Sequence, residues 1–232
     1  MLDYAERLHL AVVSVDYRLA PEHPHPAPVE DCFTGLQWAA ENAASLGVPD
    51  GRIIVAGESA GGGLAAAATL LGRDRGLTGL LGQLLIAPML DRRSASPSMH
   101  LLQGAGMWDR ESNIFGWASL LGTLAPGDVP AYASPALAED LSGLPPTFID
   151  VGGADAFRDE AIEYAAGISR AGGLADLHVW AGAYHGFDGM APTAIVSRTA
   201  RATREAWLDR LLSAAEAGQP TTDSDTNTDA EE

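Results

Sequence analysis

The stretch Arg52–Leu71, RIIVAGESAGGGLAAAATLL, leaves this chain few folds to choose from. Ile53, Ile54 and Val55 make a short β-branched run, Gly57 breaks it, and an alanine-rich helical sequence follows Ser59. Strand, tight turn and helix are predicted in that order. The turn reads Gly57-Glu58-Ser59-Ala60-Gly61, and G-x-S-x-G spacing sets a serine on a strained strand-to-helix elbow with its hydroxyl at the top of a sheet. Gly57 and Gly61 fit the steric need, because backbone that folds back this closely leaves no room for side chains. A helix starting at the serine aims its first N–H groups and its positive dipole end at whatever the hydroxyl attacks. Ser59 is the candidate nucleophile. Two other readings compete: a chance match to a degenerate pattern, and a dinucleotide loop. Gly61, Gly63 and Ala66 fit the relaxed G-x-G-x-x-G/A spacing, with Asp91 after a further apolar run, but these glycines fall inside the predicted helix rather than at its turn.

Composition removes several function classes. The net charge of −17 disfavours nucleic acid and anionic membranes as partners, since a phosphate-binding surface needs clustered cations. All 14 basic residues are arginine, so chemistries that depend on a lysine, among them Schiff bases, pyridoxal phosphate and the P-loop, are excluded. Cys32 is the only cysteine, which rules out an intrachain disulfide and a multi-cysteine metal site and suggests core packing instead. The first residues, MLDYAERLHLAVV, show no signal-peptide pattern, and no run reaches the length of a membrane span, so a cytoplasmic location is expected.

Taken in order, the chain alternates strand and helix. Residues 1–9 read as an amphipathic helix and Leu10–Val15 as a strand buried on both faces. Leu19–Val29, with Pro21, Pro24, Pro26 and Pro28, reads as an irregular segment; His23 and His25 lie in it without a nearby third metal ligand. Glu30–Leu46 has helical periodicity, Gly82–Leu90 is a further apolar strand, and Asp91–Gly106 reads as a loop. A helix is expected over Asn113–Leu121, a strand over Pro146–Val151, a helix over Phe157–Ala171, a strand over Leu177–Trp180 and a helix over Ala194–Ala217. The result is one α/β domain over residues 1–217 with a doubly wound, mainly parallel sheet, followed by an acidic tail, 218–232, expected to be disordered. The edges of such a sheet would admit a homodimer.

Reactive groups in a sheet of this kind collect in loops at the carboxyl ends of its strands. Three such loops present Ser59, Asp155 and His185. A serine hydroxyl becomes a useful nucleophile when an imidazole takes its proton, and the imidazole in turn must be held in one tautomer by a carboxylate. Other candidates rank lower. Asp150 lies within a strand, Asp159 and Glu160 suit the first turn of a helix, His178 lies along a strand, and His9 and His100 lack a suitable loop. Asp155 also reads as a helix cap, and His185 alone as an ordinary surface histidine; the joint occurrence, in order, favours the catalytic reading. Met107, Trp108 and Phe187 are candidate substrate-lining residues, although an aromatic cluster that includes Phe115 and Trp117 also reads as core.

The blocks DYRLAPEHPHPAPVEDC at residues 16–32, GESAGGGLAAA at 57–67, GADAFRDE at 153–160 and YHGF at 184–187 resemble the bacterial hormone-sensitive-lipase-like carboxylesterases, members of the α/β-hydrolase fold. The resemblance implies Ser59 as nucleophile, Asp155 as triad acid, His185 as general base and the Ala60 backbone N–H as an oxyanion donor. It also implies hydrolysis of small-molecule esters with short to medium acyl chains, without metal or organic cofactor. Matching these blocks sets Met1 inside the helix that follows the family's HGGG-type oxyanion loop, and no such motif occurs in the sequence. The expectation is a sheet lacking the strand that lies, in this fold, between Leu10–Val15 and Arg52–Val55, with unpaired backbone beside the nucleophile. Loss of one oxyanion donor costs about 10²- to 10³-fold in rate, so the alternative to an esterase is a protein with the triad and an impaired hole.

Overall fold

In the computed structural model, which describes residues 2–48 and 52–217, four strands form one sheet. The elements run α1 (Leu2–Leu8), α2 (Ala27–Glu41), β1 (Ile53–Glu58), α3 (Ala60–Asp74), β2 (Leu80–Ile86), α4 (Pro97–Leu101), α5 (Arg110–Leu121), β3 (Thr147–Ala154), α6 (Arg158–Arg170), β4 (Ala175–Tyr184), α7 (Phe187–Met190) and α8 (Ile195–Ala217). The spatial order is β1-β2-β3-β4 and every pairing is parallel. The acidic tail lies outside the described residues.

Alternation along the two central strands separates the layers. Leu85, Ile149 and Val151 face a core built with Leu70 of α3 and Ala161, Tyr164 and Ile168 of α6. Leu84, Ile86 and Phe148 face the other side, against Trp207 and Leu208 of α8 and Tyr4 and Leu8 of α1. β2 and β3 are therefore buried on both faces, as their near-continuous apolar sequences require. Among the described residues β1 has β2 on one side only, and its residues are correspondingly half-buried or exposed.

The predicted strand at Leu10–Val15 does not form: these residues take no regular secondary structure, and Val12 and Val13 are 49% and 42% exposed. An apolar run becomes a strand when an edge is there to bond it, and among the described residues none pairs with this one. Val15 instead lies against Gly35 of α2. Helix α2 begins earlier than expected, at Ala27, because Pro28 falls in its first turn, where a missing N–H costs nothing. A short helix, α4, occupies a segment read as a loop, and another, α7, lies between the last predicted strand and the last predicted helix.

Candidate active site

Ser59 holds φ 57° and ψ −122°, a conformation that side-chain-bearing residues rarely adopt. Its backbone is pinned on three sides. The Ser59 N–H donates to Ile86 O at 2.9 Å, and its carbonyl accepts from Met89 N–H at 3.0 Å and Gly63 N–H at 3.1 Å. Surrounding hydrogen bonds of this kind let backbone strain persist at a functional residue. The close approaches explain the glycines: a Cβ on Gly57 would lie 2.1 Å from Gly61 O, and one on Gly63 would lie 2.2 Å from Met89 O. Gly63 → Ser59 is the first bond of α3, so the N–H groups of Ala60, Gly61 and Gly62 precede it without an intrahelical acceptor.

Two other strand ends complete the arrangement. Asp155 follows β3 and is 1% exposed; its Oδ1 accepts from Phe157 N–H at 3.0 Å and its Oδ2 stands 2.9 Å from His185 Nδ1. His185 follows β4, with Nε2 3.0 Å from Ser59 Oγ and its ring edge-on to Phe157 at 5.2 Å between centroids. Since the carboxylate only accepts, the network assigns the imidazole proton to Nδ1 and leaves Nε2 to accept from the serine hydroxyl. Burial, the largest single influence on the imidazole, lowers its pKa, but the Asp155 hydrogen bond and charge together with Glu58 outweigh it and hold it above the ordinary 6.5. A raised pKa keeps the imidazole protonated to higher pH and moves the acid limb of reactivity upward. Glu58→Gln removes one of the raising charges and should move that limb to lower pH, which the pH profile of fluorophosphonate labelling would reveal; an unmoved limb would show that Glu58 does not act on His185.

The sequence profile of a family described as alpha/beta hydrolase fold matches residues 1–189. The chain belongs to the α/β-hydrolase fold family. Several proteins similar to it carry esterase names. It is 38% identical over 180 residues to Esterase LipI of Mycobacterium tuberculosis, covering 78% of this chain and 56% of that protein. It is 38% identical over 215 residues to Carboxylesterase NlhH of the same species, covering 88% and 64%. Among solved structures, a bacterial heroin esterase superposes with TM-score 0.87 at 40% identity over 91% of this chain and 68% of its own. Esterase LipW from Mycobacterium marinum gives 0.85 at 37%, over 91% and 66%. The chain thus spans from about half to two thirds of the length of its curated relatives.

Within this α/β-hydrolase frame, Ser59, Asp155 and His185 come together, whereas the three candidate substrate-lining residues do not. Met107 is 61% exposed. Trp108 donates to Asn113 Oδ1 at 3.2 Å and packs on the main core. Phe187 is buried against Ala183 and Ala200. A cavity of about 180 Å³ adjoins Asp155 and is lined instead by residues such as Leu101, Leu102, Gly153, Ala154 and Arg158. The dinucleotide reading loses its basis, since Gly61 and Gly63 are helical and Gly63 is needed for contact with Met89. Among the described residues, no group of three or more His, Cys, Asp or Glu side chains is arranged to hold a metal, and no helix is long and apolar enough to cross a membrane.

Several residues support the site, and Glu160, expected only as a first-turn acid of a helix, does more. Glu160 of α6, 5% exposed, accepts from Leu90 N–H at 2.7 Å and Asp91 N–H at 3.2 Å, tying that helix to the chain beyond β2. Ser98 donates its N–H to Asp159 Oδ2 at 2.7 Å and its hydroxyl to Ala156 O at 2.8 Å, which holds α4 on the Asp155 loop. Arg204 lies buried among Ser197, Ala200, Trp207 and Leu208 of α8. Those positions share one helical face, so a charge on an otherwise uncharged, mostly apolar stripe is the available signal.

Proposed function

We propose that this chain is a serine carboxylesterase acting on small-molecule esters of short- to medium-chain acids. The observation that carries the reading is the continuous relay from buried Asp155 Oδ2 through His185 to Ser59 Oγ, with its 2.9 and 3.0 Å steps, ending on a strained elbow residue. Ser59 Oγ attacks the ester carbonyl while His185 Nε2 takes its proton, and Asp155 stabilises the resulting imidazolium. The new oxyanion develops toward the Ala60 N–H at the start of α3. Collapse expels the alcohol, to which His185 returns the proton. Water then attacks the acyl-enzyme by the same relay. The esterase names of relatives at 38% identity support ester chemistry over other acyl transfers.

The test is labelling of the purified chain by a fluorophosphonate, with the modified peptide mapped and p-nitrophenyl butyrate turnover followed alongside. Modification at Ser59 with turnover is the expected result. Labelling with turnover about 10²- to 10³-fold below an ordinary esterase would favour the second reading, an assembled triad with an impaired oxyanion hole. A cooperatively folded chain that neither labels nor turns over would refute both.

A further inference from the structure

A buried ionic cluster that the proposed chemistry does not use lies beside the relay. Arg204 of α8, 2% exposed, donates from Nε to Asp150 Oδ2 at 2.8 Å and from Nη1 to Asp188 Oδ2 at 2.5 Å. Asp150 of β3 is fully buried, and its Oδ2 also accepts from Trp180 Nε1 of β4 at 2.9 Å. Asp188 belongs to α7 and is 8% exposed. Arg201 Nε stands 3.7 Å from the same Asp188 oxygen, and Tyr4 of α1 faces the guanidinium. One side chain thereby joins β3 to a short helix, and Trp180 ties β4 to the same Asp150 oxygen. These are the elements that carry the relay: Asp155 follows Asp150 at the end of β3, and His185 lies in the chain between Trp180 and Asp188.

Stability alone is a weak reason for such a cluster, because desolvation of buried charges largely offsets their attraction and apolar residues often serve as well. Position is a better reason. A single-turn helix has too few internal bonds to fix itself, and Gly186, in the left-handed region at φ 70°, joins α7 to His185 as a pliant link. We propose that Arg204 is a positioning residue: by gripping Asp150 and Asp188 at once, it fixes the turn bearing His185 against the strand end bearing Asp155. The guanidinium fork suits this task, since its rigid donors engage two carboxylates together, whereas an ammonium is a point charge on a flexible stem. The consequence for rate rests on the esterase reading; the consequence for His185 geometry does not.

Two charge-conserving variants of the full chain provide the test. Arg204→Lys keeps the charge but not the fork, and Asp188→Glu lengthens the tether by one methylene. Each is checked for cooperative melting, then followed by NMR titration of the His185 imidazole, which Asp155 and Glu58 face, and by the rate of fluorophosphonate labelling at Ser59. Labelling should slow by about tenfold or more, in line with the cost of small misplacements in a catalytic array. The His185 midpoint should fall toward the ordinary 6.5 as its bond to Asp155 loosens. If Arg204→Lys does not fold, Asp188→Glu decides alone. A folded variant with wild-type titration and labelling would overturn the proposal. Should the wild-type chain fail to label, the esterase reading falls, while the titration still decides whether Arg204 positions His185.

Discussion

Replacing Ser59 with alanine is expected to bring ester turnover down to background, a loss of about 10⁶-fold in kcat for an intact triad, whose members act as a unit. The fold should be retained. The hydroxyl's partner is His185 Nε2 at 3.0 Å, and the three hydrogen bonds that pin the Ser59 backbone do not involve the side chain. A companion variant tests the elbow itself. Alanine keeps a Cβ at φ 57°, whereas glycine adopts that conformation freely. Relief of strain, about 1–3 kcal/mol, exceeds the extra entropy that glycine loses on folding, about 0.5–1 kcal/mol, so Ser59→Gly should be the more stable by about 1 kcal/mol. Thermal melting of the two inactive variants measures this directly. Equal or reversed melting temperatures would mean that the elbow stores no strain.

Asp155→Asn should lower kcat by about 10⁴-fold, the cost of a wrong imidazole tautomer. The local geometry makes the outcome sharper than for a free amide. Asp155 Oδ1 already accepts from Phe157 N–H at 3.0 Å, so the asparagine oxygen is drawn there and its NH₂ group is turned toward His185 Nδ1. An N–H donor at that position requires Nδ1 to accept, which moves the imidazole proton to Nε2 and removes the acceptor that Ser59 needs. Comparison of kcat, or of labelling rate, between variant and wild type checks this. A loss below about tenfold would show that the working tautomer forms without the carboxylate.

What the sequence made legible follows from which signals are local. The elbow could be read because strand, glycine turn and helix are contiguous and each has its own periodicity. Asp155 and His185 could be read because a parallel α/β order sends strand ends to one rim, so residues far apart in the chain become candidates together. The apolar run at Leu10–Val15 misled because hydrophobicity reports a wish for burial and not the presence of a partner edge. Helices α4 and α7 are not legible because five and four residues are too few to show a 3.6-residue period. Arg204 is not legible because a charged residue on a helix is ordinarily exposed; its carboxylate partners are distant in sequence and meet only in the folded chain. Phe187 and Trp108 suit a pocket by residue type, yet both pack on core clusters, because type alone does not separate an aromatic that faces a ligand from one that faces the core.

Among the described residues β1 is bonded on one side only, and this changes the meaning of the acidic composition. A strand bonded on one side offers its other row of backbone groups to any passing strand, and the exposed valines at 12 and 13 add apolar surface to the molecule. The net charge of −17 then acts as a colloidal safeguard, setting a repulsive barrier between like copies before their backbones can meet. Such a barrier reaches about 30 Å at 0.01 M salt and only about 8 Å at physiological ionic strength. A concentrated preparation is therefore expected to keep this edge unpaired longest in dilute salt.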